Sequence, residues 1–163
     1  MKGTVLAVCV SDIRGIHKTE VNGRIRIVEG FGIEGDAHGG NWHRQISLLS
    51  REKIEDFNRL SASVNNGDFG ENIIVSGIDL RSLPVGTQLK FNDALLEVTQ
   101  IGKECHSHCE IFKRAGDCIM PREGIFARVI TGGSIGKGDT VHTDNTDRGR
   151  IKTTDLTDNT DKR

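Results

Sequence analysis

Apolar positions along the chain come in short bursts, each bounded by Gly, Asn, Asp or Ser. The bursts cover residues 4–10, 24–29, 45–49, 72–76, 88–91, 95–101, 125–131 and 139–142. Val, Ile and Leu dominate them, and the flanking residues are those that turn a chain, so each reads as a β-strand. Arg24-Ile25-Arg26-Ile27 and Leu89-Lys90-Phe91 alternate, as expected when one face of a strand is buried. Asn92-Asp93 reads as the turn of a hairpin, without the glycine such turns favour. Two segments read as helix. In residues 50–60, Ser50 offers an N-cap, Lys53 stands where a capping box would have Glu, and Ile54, Phe57 and Leu60 share a face. The other spans about residues 107–115, with Gly116 as its stop. Many strands with two short helices predict a mainly β, barrel-like domain, not an alternating parallel α/β sheet.

This patterning ends near residue 142. Between residues 143 and 163 only Ile151 and Leu156 are apolar, and Thr-Asp-Asn-Thr-Asp occurs twice. Such a segment cannot bury enough surface to offset its ordering entropy, so we expect a domain over 1–142 and a disordered polar tail over 143–163. Twenty glycines in 163 residues fit a chain of many turns. The 22 basic and 23 acidic residues nearly cancel, which argues against nucleic acid or anionic lipid as a partner. No apolar run approaches a membrane span, and the N-terminal strand lacks the features of a signal peptide. The expected compartment is the cytoplasm.

Candidate chemistry concentrates in the loops. Gly30-Phe31-Gly32-Ile33-Glu34-Gly35 has the spacing of a dinucleotide fingerprint, but no helix opens at its end, so NAD binding is not expected. The continuation is richer: Asp36-Ala37-His38-Gly39-Gly40-Asn41-Trp42-His43-Arg44. His38 can donate to or ligate an acceptor, and Arg44 offers a planar fork for phosphate or carboxylate. Ordinary turn residues would explain this loop too, but two His, an Arg and a Trp together favour a ligand site. Glu71 and Asn72 stand at a turn entering a strand, in the run Gly67-Asp68-Phe69-Gly70-Glu71-Asn72, as ligand contacts, or with Asp68 and Asn72 as local caps. Arg122, before the strand at 125–131, adds positive charge.

Cysteine usage points the same way. Cys105, Cys109 and Cys118 fall within fourteen residues, while Cys9 sits in an apolar strand as a core thiol. A thiol at a helix start among Lys103, His106 and His108 has a lowered pKa, so Cys105 is the candidate nucleophile or soft-metal ligand. Cys109 and Cys118 are weaker candidates. A structural zinc site built from these cysteines and a His remains an alternative, as does a redox disulfide.

Taken in order, these motifs resemble the MOSC domain, the molybdenum cofactor sulfurase C-terminal domain, in its small stand-alone bacterial form. The residues that carry the resemblance are Gly35-Asp36-Ala37-His38-Gly39-Gly40, Arg44-Gln45, Gly70-Glu71-Asn72-Ile73, Glu97-Val98-Thr99-Gln100, Cys105, and the run from Gly116 to Phe126. The resemblance spans about residues 3–142. It implies a barrel-like β domain that handles molybdenum or tungsten cofactor, with Cys105 in the place of the family's reactive cysteine. Sulfur delivery or cofactor maturation, as a sulfur carrier needing no pyridoxal phosphate, is the leading expectation. A cysteine desulfurase or a molybdoenzyme is then the expected partner. His38, Arg44, Glu71, Asn72 and Arg122 are the expected contacts to a molybdopterin-type ligand. The alternatives are a reductase of N-hydroxylated compounds with an external electron donor, and a zinc-stabilised binding module.

Overall fold

A computed structural model describes residues 1–60, 63–103 and 119–143. Among them, seven strands close a ring. β1 (Lys2–Val10) pairs with β6 (Ile73–Ser76), which pairs with β5 (Ile46–Ser50), and β5 pairs with β9 (Ile125–Thr131). The ring continues through β8 (Ala94–Ile101) and β7 (Gln88–Phe91) to β11 (Thr140–Thr143), which returns to β1. At the seam Lys2 lies opposite His142, and Thr4 opposite Thr140. A ring of odd strand number cannot alternate direction throughout, so one neighbouring pair must be parallel. That pair is β5–β6. Parallel neighbours need a crossover, and helix α1 (Arg51–Leu60) supplies it.

The ring interior holds the larger apolar cluster, including Leu48, Val75, Leu89, Phe91, Leu96, Val98, Ala127 and Val141. A second cluster lies under α1, where Ile54 and Phe57 meet Leu49, Ile74, Cys9, Phe69 and Phe126. Because β5 is covered on both faces, all five of its residues are buried. That is why Ile46, Leu48 and Leu49 are apolar without strict alternation, and why the buried Ser47 and Ser50 hydroxyls bond to the Gly70 and Ile78 carbonyls. The Phe57 and Phe69 rings meet edge to face at 4.9 Å.

Three short strands missing from the sequence reading, at 19–20, 32–33 and 133–136, frame the loops together with the expected strand at 24–28. β10 (Gly133–Gly136), β3 (Arg24–Val28) and β4 (Gly32–Ile33) form a small antiparallel sheet, and β2 (Thr19–Glu20) pairs with the end of β1. They bring the loops at 11–18 and 34–45 together. A short helix, α2 (Met120–Glu123), precedes β9. The Asn92-Asp93 turn forms as expected: Phe91 faces Ala94, and Asn92 takes φ +45° in the absence of glycine. Ser50, expected to cap α1, is instead the last residue of β5. Its hydroxyl donates to the Ile78 carbonyl and accepts from the Leu80 N–H. The expected helix at 107–115 and the tail beyond Thr143 lie outside the described residues.

Candidate functional site

The loop between β4 and β5 is held from several sides. Gly40 N–H donates to the Phe31 carbonyl, and the Gln45 side chain ties Gly40 to β9, donating to the Gly40 carbonyl and accepting from Val129 N–H. The Trp42 indole donates to the His38 carbonyl at 2.8 Å. The side chains of this loop therefore stand on a fixed backbone.

Beneath it lies an ion pair with no access to solvent. Lys18 Nζ is 2.8 Å from Asp36 Oδ1, with side-chain exposures of 1 % and 0 %. Asp36 also accepts from Ser11 N–H and from His38 N–H, both at 3.1 Å. A lysine is almost never fully buried unless paired, and this carboxylate gathers enough donors to hold it. Lys18 Nζ also reaches His38 Nδ1 at 3.0 Å. Burial and the nearby cations Lys18, Arg14 and Lys103 push the His38 pKa down to about 4, against the opposing pull of Asp36.

Trp42 is the centre of a cationic cluster. The Arg14 guanidinium lies 5.4 Å from its ring centroid and that of Arg44 4.7 Å. Arg44 also lies 5.5 Å from the Phe126 ring of β9, and its buried Nε has no hydrogen-bond partner among the described residues. The His38 ring runs nearly parallel to Trp42, at 10°. His43 Nε2 meets Gln100 Oε1 at 2.7 Å, and Gln100 in turn donates to the Gly102 carbonyl. The last turn of the loop is thereby tied to the end of β8.

The structure brings His38 and Arg44 together through Trp42, but it places Glu71 and Asn72 elsewhere. Both are buried, and their side chains bond within the protein. Glu71 accepts from Gly67 N–H and Phe69 N–H, each at 3.0 Å. Asn72 accepts from Ser47 N–H and donates to the Cys9 carbonyl. Burial pushes the Glu71 carboxyl up to about 7 against the hydrogen bonds it receives. Arg122 is exposed on α2, whose Pro121 carbonyl accepts from Lys103 N–H at the end of β8. Cys105, Cys109 and Cys118 lie outside the described residues. Cys9 is a buried free thiol whose pKa burial raises, which suits an inert core position. No group of three or more metal-ligating side chains occurs among the described residues, and no helix among them is long and apolar enough to cross a membrane.

Sequence reasoning missed Lys18, Arg14 and Phe126. Lys18 sits in the polar stretch His17-Lys18-Thr19-Glu20, and nothing local distinguishes it from a surface lysine. Its partner Asp36 is eighteen residues away, across β2, β3 and β4.

Fold and site together define a small closed β-barrel carrying a cationic, tryptophan-centred loop face. The model of the MOSC domain family matches residues 34–142, about two thirds of the chain. The chain belongs to the MOSC domain family, which is associated with molybdenum cofactor binding. No curated protein sequence matches it. Among solved structures it is similar to the YuaD protein of Bacillus subtilis, with TM-score 0.74 and 22 % identity over 88 % of this chain and 96 % of that one. It is also similar to YiiM of Escherichia coli, with TM-score 0.65 and 20 % identity over 88 % of this chain and 69 % of that one. For YiiM of Geobacillus stearothermophilus the TM-score is 0.60 and the identity 20 %, over 86 % and 72 % of the two chains. At these identities the likeness shows the fold alone.

Proposed function

We propose that this MOSC domain binds a molybdenum- or tungsten-bearing pterin cofactor against the 35–44 loop, and that Cys105 carries sulfur for its maturation or delivery. Arg44 is the observation that carries the reading. Its guanidinium packs near two aromatic rings, and its Nε is buried without an acceptor among the described residues. A buried donor left unpaired costs about 1–3 kcal/mol, which an anionic ligand would recover. A guanidinium also matches the paired oxygens of a phosphate.

In this reading Arg44 holds the cofactor's phosphate, and Arg14, Lys103 and Arg122 add positive potential. Trp42 and His38 present ring faces and a hydrogen-bond donor to the polar ring system. Glu71 and Asn72 contribute by fixing the frame behind β1 and β5. The bound cofactor supplies a soft metal centre suited to sulfur ligands. Cys105 follows Lys103 by two residues in the chain, and its basic neighbours favour the thiolate. That thiolate attacks the terminal sulfur of a donor's cysteine persulfide. A new S–S bond forms on Cys105, and the donor's own sulfur leaves as a thiolate.

The test is metal, pterin and sulfane-sulfur analysis of protein purified from a molybdate-supplied host, for wild type, Arg44→Ala and Cys105→Ser. The reading expects bound pterin in wild type and its loss in Arg44→Ala. It also expects sulfur loading from a cysteine desulfurase to be lost in Cys105→Ser. Stoichiometric zinc with no pterin or sulfane sulfur would overturn it in favour of a zinc-stabilised binding module. Turnover of an N-hydroxylated compound with an added reductase would move the site from maturation to catalysis.

A further inference from the structure

We propose that Lys18 is a positioning residue that locks His38 in a single neutral tautomer, with its hydrogen on Nε2, so that the loop face presents a fixed hydrogen-bond donor. The ligand group that meets His38 is then an acceptor, such as a phosphate or carbonyl oxygen. This deepens the cofactor reading above and rests on it for the identity of the ligand. The lock itself rests only on the geometry of this chain.

A lysine ammonium has three hydrogens to give and no lone pair to offer. Lys18 Nζ gives one to Asp36 Oδ1 at 2.8 Å and faces His38 Nδ1 at 3.0 Å. Only a lone pair on Nδ1 makes that second contact a hydrogen bond, so in the neutral ring the hydrogen belongs to Nε2. Lys18 cannot swing away. It is 2 % exposed, its own N–H donates to the Gly67 carbonyl, and Asp36 is pinned by Ser11 and His38 backbone N–H groups. The ring plane is set from the other side by Trp42, whose indole holds the His38 carbonyl.

Four charged groups bear on the ring: Lys18, Arg14 and Lys103 against protonation, and Asp36 in favour of it. Asp36 Oδ2 is 3.9 Å from Nδ1, close enough to capture a protonated ring were Lys18 not in between. Without Lys18, His38 would become an imidazolium paired with Asp36, and the face would gain a titrating charge near neutrality. With Lys18, the face carries its positive charge on Arg14, Arg44 and Lys103, and His38 contributes a dipole.

The test needs no variant to begin with. Nitrogen-15 spectra of histidine-labelled, ligand-free protein, with His38 assigned from His38→Gln, report each ring nitrogen directly. The proposal expects a pyridine-type Nδ1 and a pyrrole-type Nε2 that hold from pH 8 down to 5. The opposite tautomer, an averaged pair, or titration near the ordinary histidine value would overturn it. Lys18→Met supplies the contrast. His38 should then titrate near neutrality, and affinity for inorganic sulfate should rise severalfold between pH 8 and 5.5. In wild type that affinity should change less than twofold. A Lys18→Met protein that folds and keeps the wild-type His38 spectrum also overturns the lock; if it does not fold, the wild-type spectrum decides. A locked His38 in a protein that never acquires pterin would sink the cofactor reading and leave the role of Lys18 standing.

Discussion

Glu71 shows at the scale of one residue how a buried acid shapes pH dependence. Its carboxyl is pushed up to about 7 from 4.5 by burial, so the folded protein holds this proton more tightly than the unfolded chain does. The resulting stabilisation is present in full below about pH 4.5 and is lost as pH rises through about 7. His38 runs the other way. Its folded pKa of about 4 lies below the ordinary 6.5, so its contribution is present above that value and fades as pH falls through 4. Glu71→Gln turns an amide N–H toward one of the two backbone donors, Gly67 or Phe69, whose hydrogens the two carboxyl oxygens now accept. We expect a loss of about 1–3 kcal/mol in denaturant melts at pH 5. The decline in stability between pH 5 and 8 should also be shallower in this variant than in wild type. A second single-residue prediction concerns Gly67, which takes φ +92° and faces the Lys18 carbonyl, where a Cβ would collide with it. Gly67→Ala should cost more than the ~1 kcal/mol of an average point substitution, read as a lower melting temperature. It should also displace Lys18 and so shift the His38 spectrum. Both His38 and Arg44 were visible in the sequence because the loop holds them six residues apart beside Trp42. Lys18 was not, since a buried lysine is recognisable only once its distant partner is known.

Element by element, the strands that build the ring were legible and those that frame the site were not. The ring strands are apolar bursts; β7 and β9 keep the bounds of the pattern, and the ends of the others fall within two residues of it. β2, β4 and β10 are Thr-Glu, Gly-Ile and Gly-Ser-Ile-Gly, too short or too polar to register as a burst. Pairing with a long neighbour makes them strands, as β3 does for β10 from Gly133 opposite Ile27 to Gly136 opposite Arg24. Helix α1 was legible from its spacing, yet one of its three face residues behaves differently. Ile54 and Phe57 are buried under the second apolar cluster, whereas Leu60, the last residue of the helix, is 86 % exposed. Phe57→Ala should therefore destabilise by about 3–5 kcal/mol, through the cavity left beside Phe69. Leu60→Ala should stay within about 0.5 kcal/mol of wild type. Equal effects in chemical denaturation would mean that α1 does not dock through this face.

For the whole molecule, the ring depends on a strand that contributes only four residues. β11 pairs with β1 on one side and β7 on the other, and Val141 is buried in the ring core. A chain ended after Asp139 lacks β11 and exposes the edges of β1 and β7 at once, an arrangement prone to pairing with other chains. We expect it to lose its cooperative thermal transition and to aggregate. A chain ended after Thr143 keeps every described strand pair and should melt at the midpoint of the full-length protein. If the longer truncation also melts cooperatively, closure at β11 is not what holds the ring.

That seam also sets a timetable. Ribosomes deliver β1 first, but its neighbour at Lys2–Thr4 is made some 140 residues later. Contacts so distant along the chain are slow to form, because the loop they close must lose its freedom before any pairing is gained. Until β11 emerges, the nascent chain can assemble β5, α1 and β6, but β1 must wait with one edge unpaired. A barrel whose first described strand is completed by its last cannot close until both have been made, and until then the unpaired edge of β1 is open to pairing with other chains.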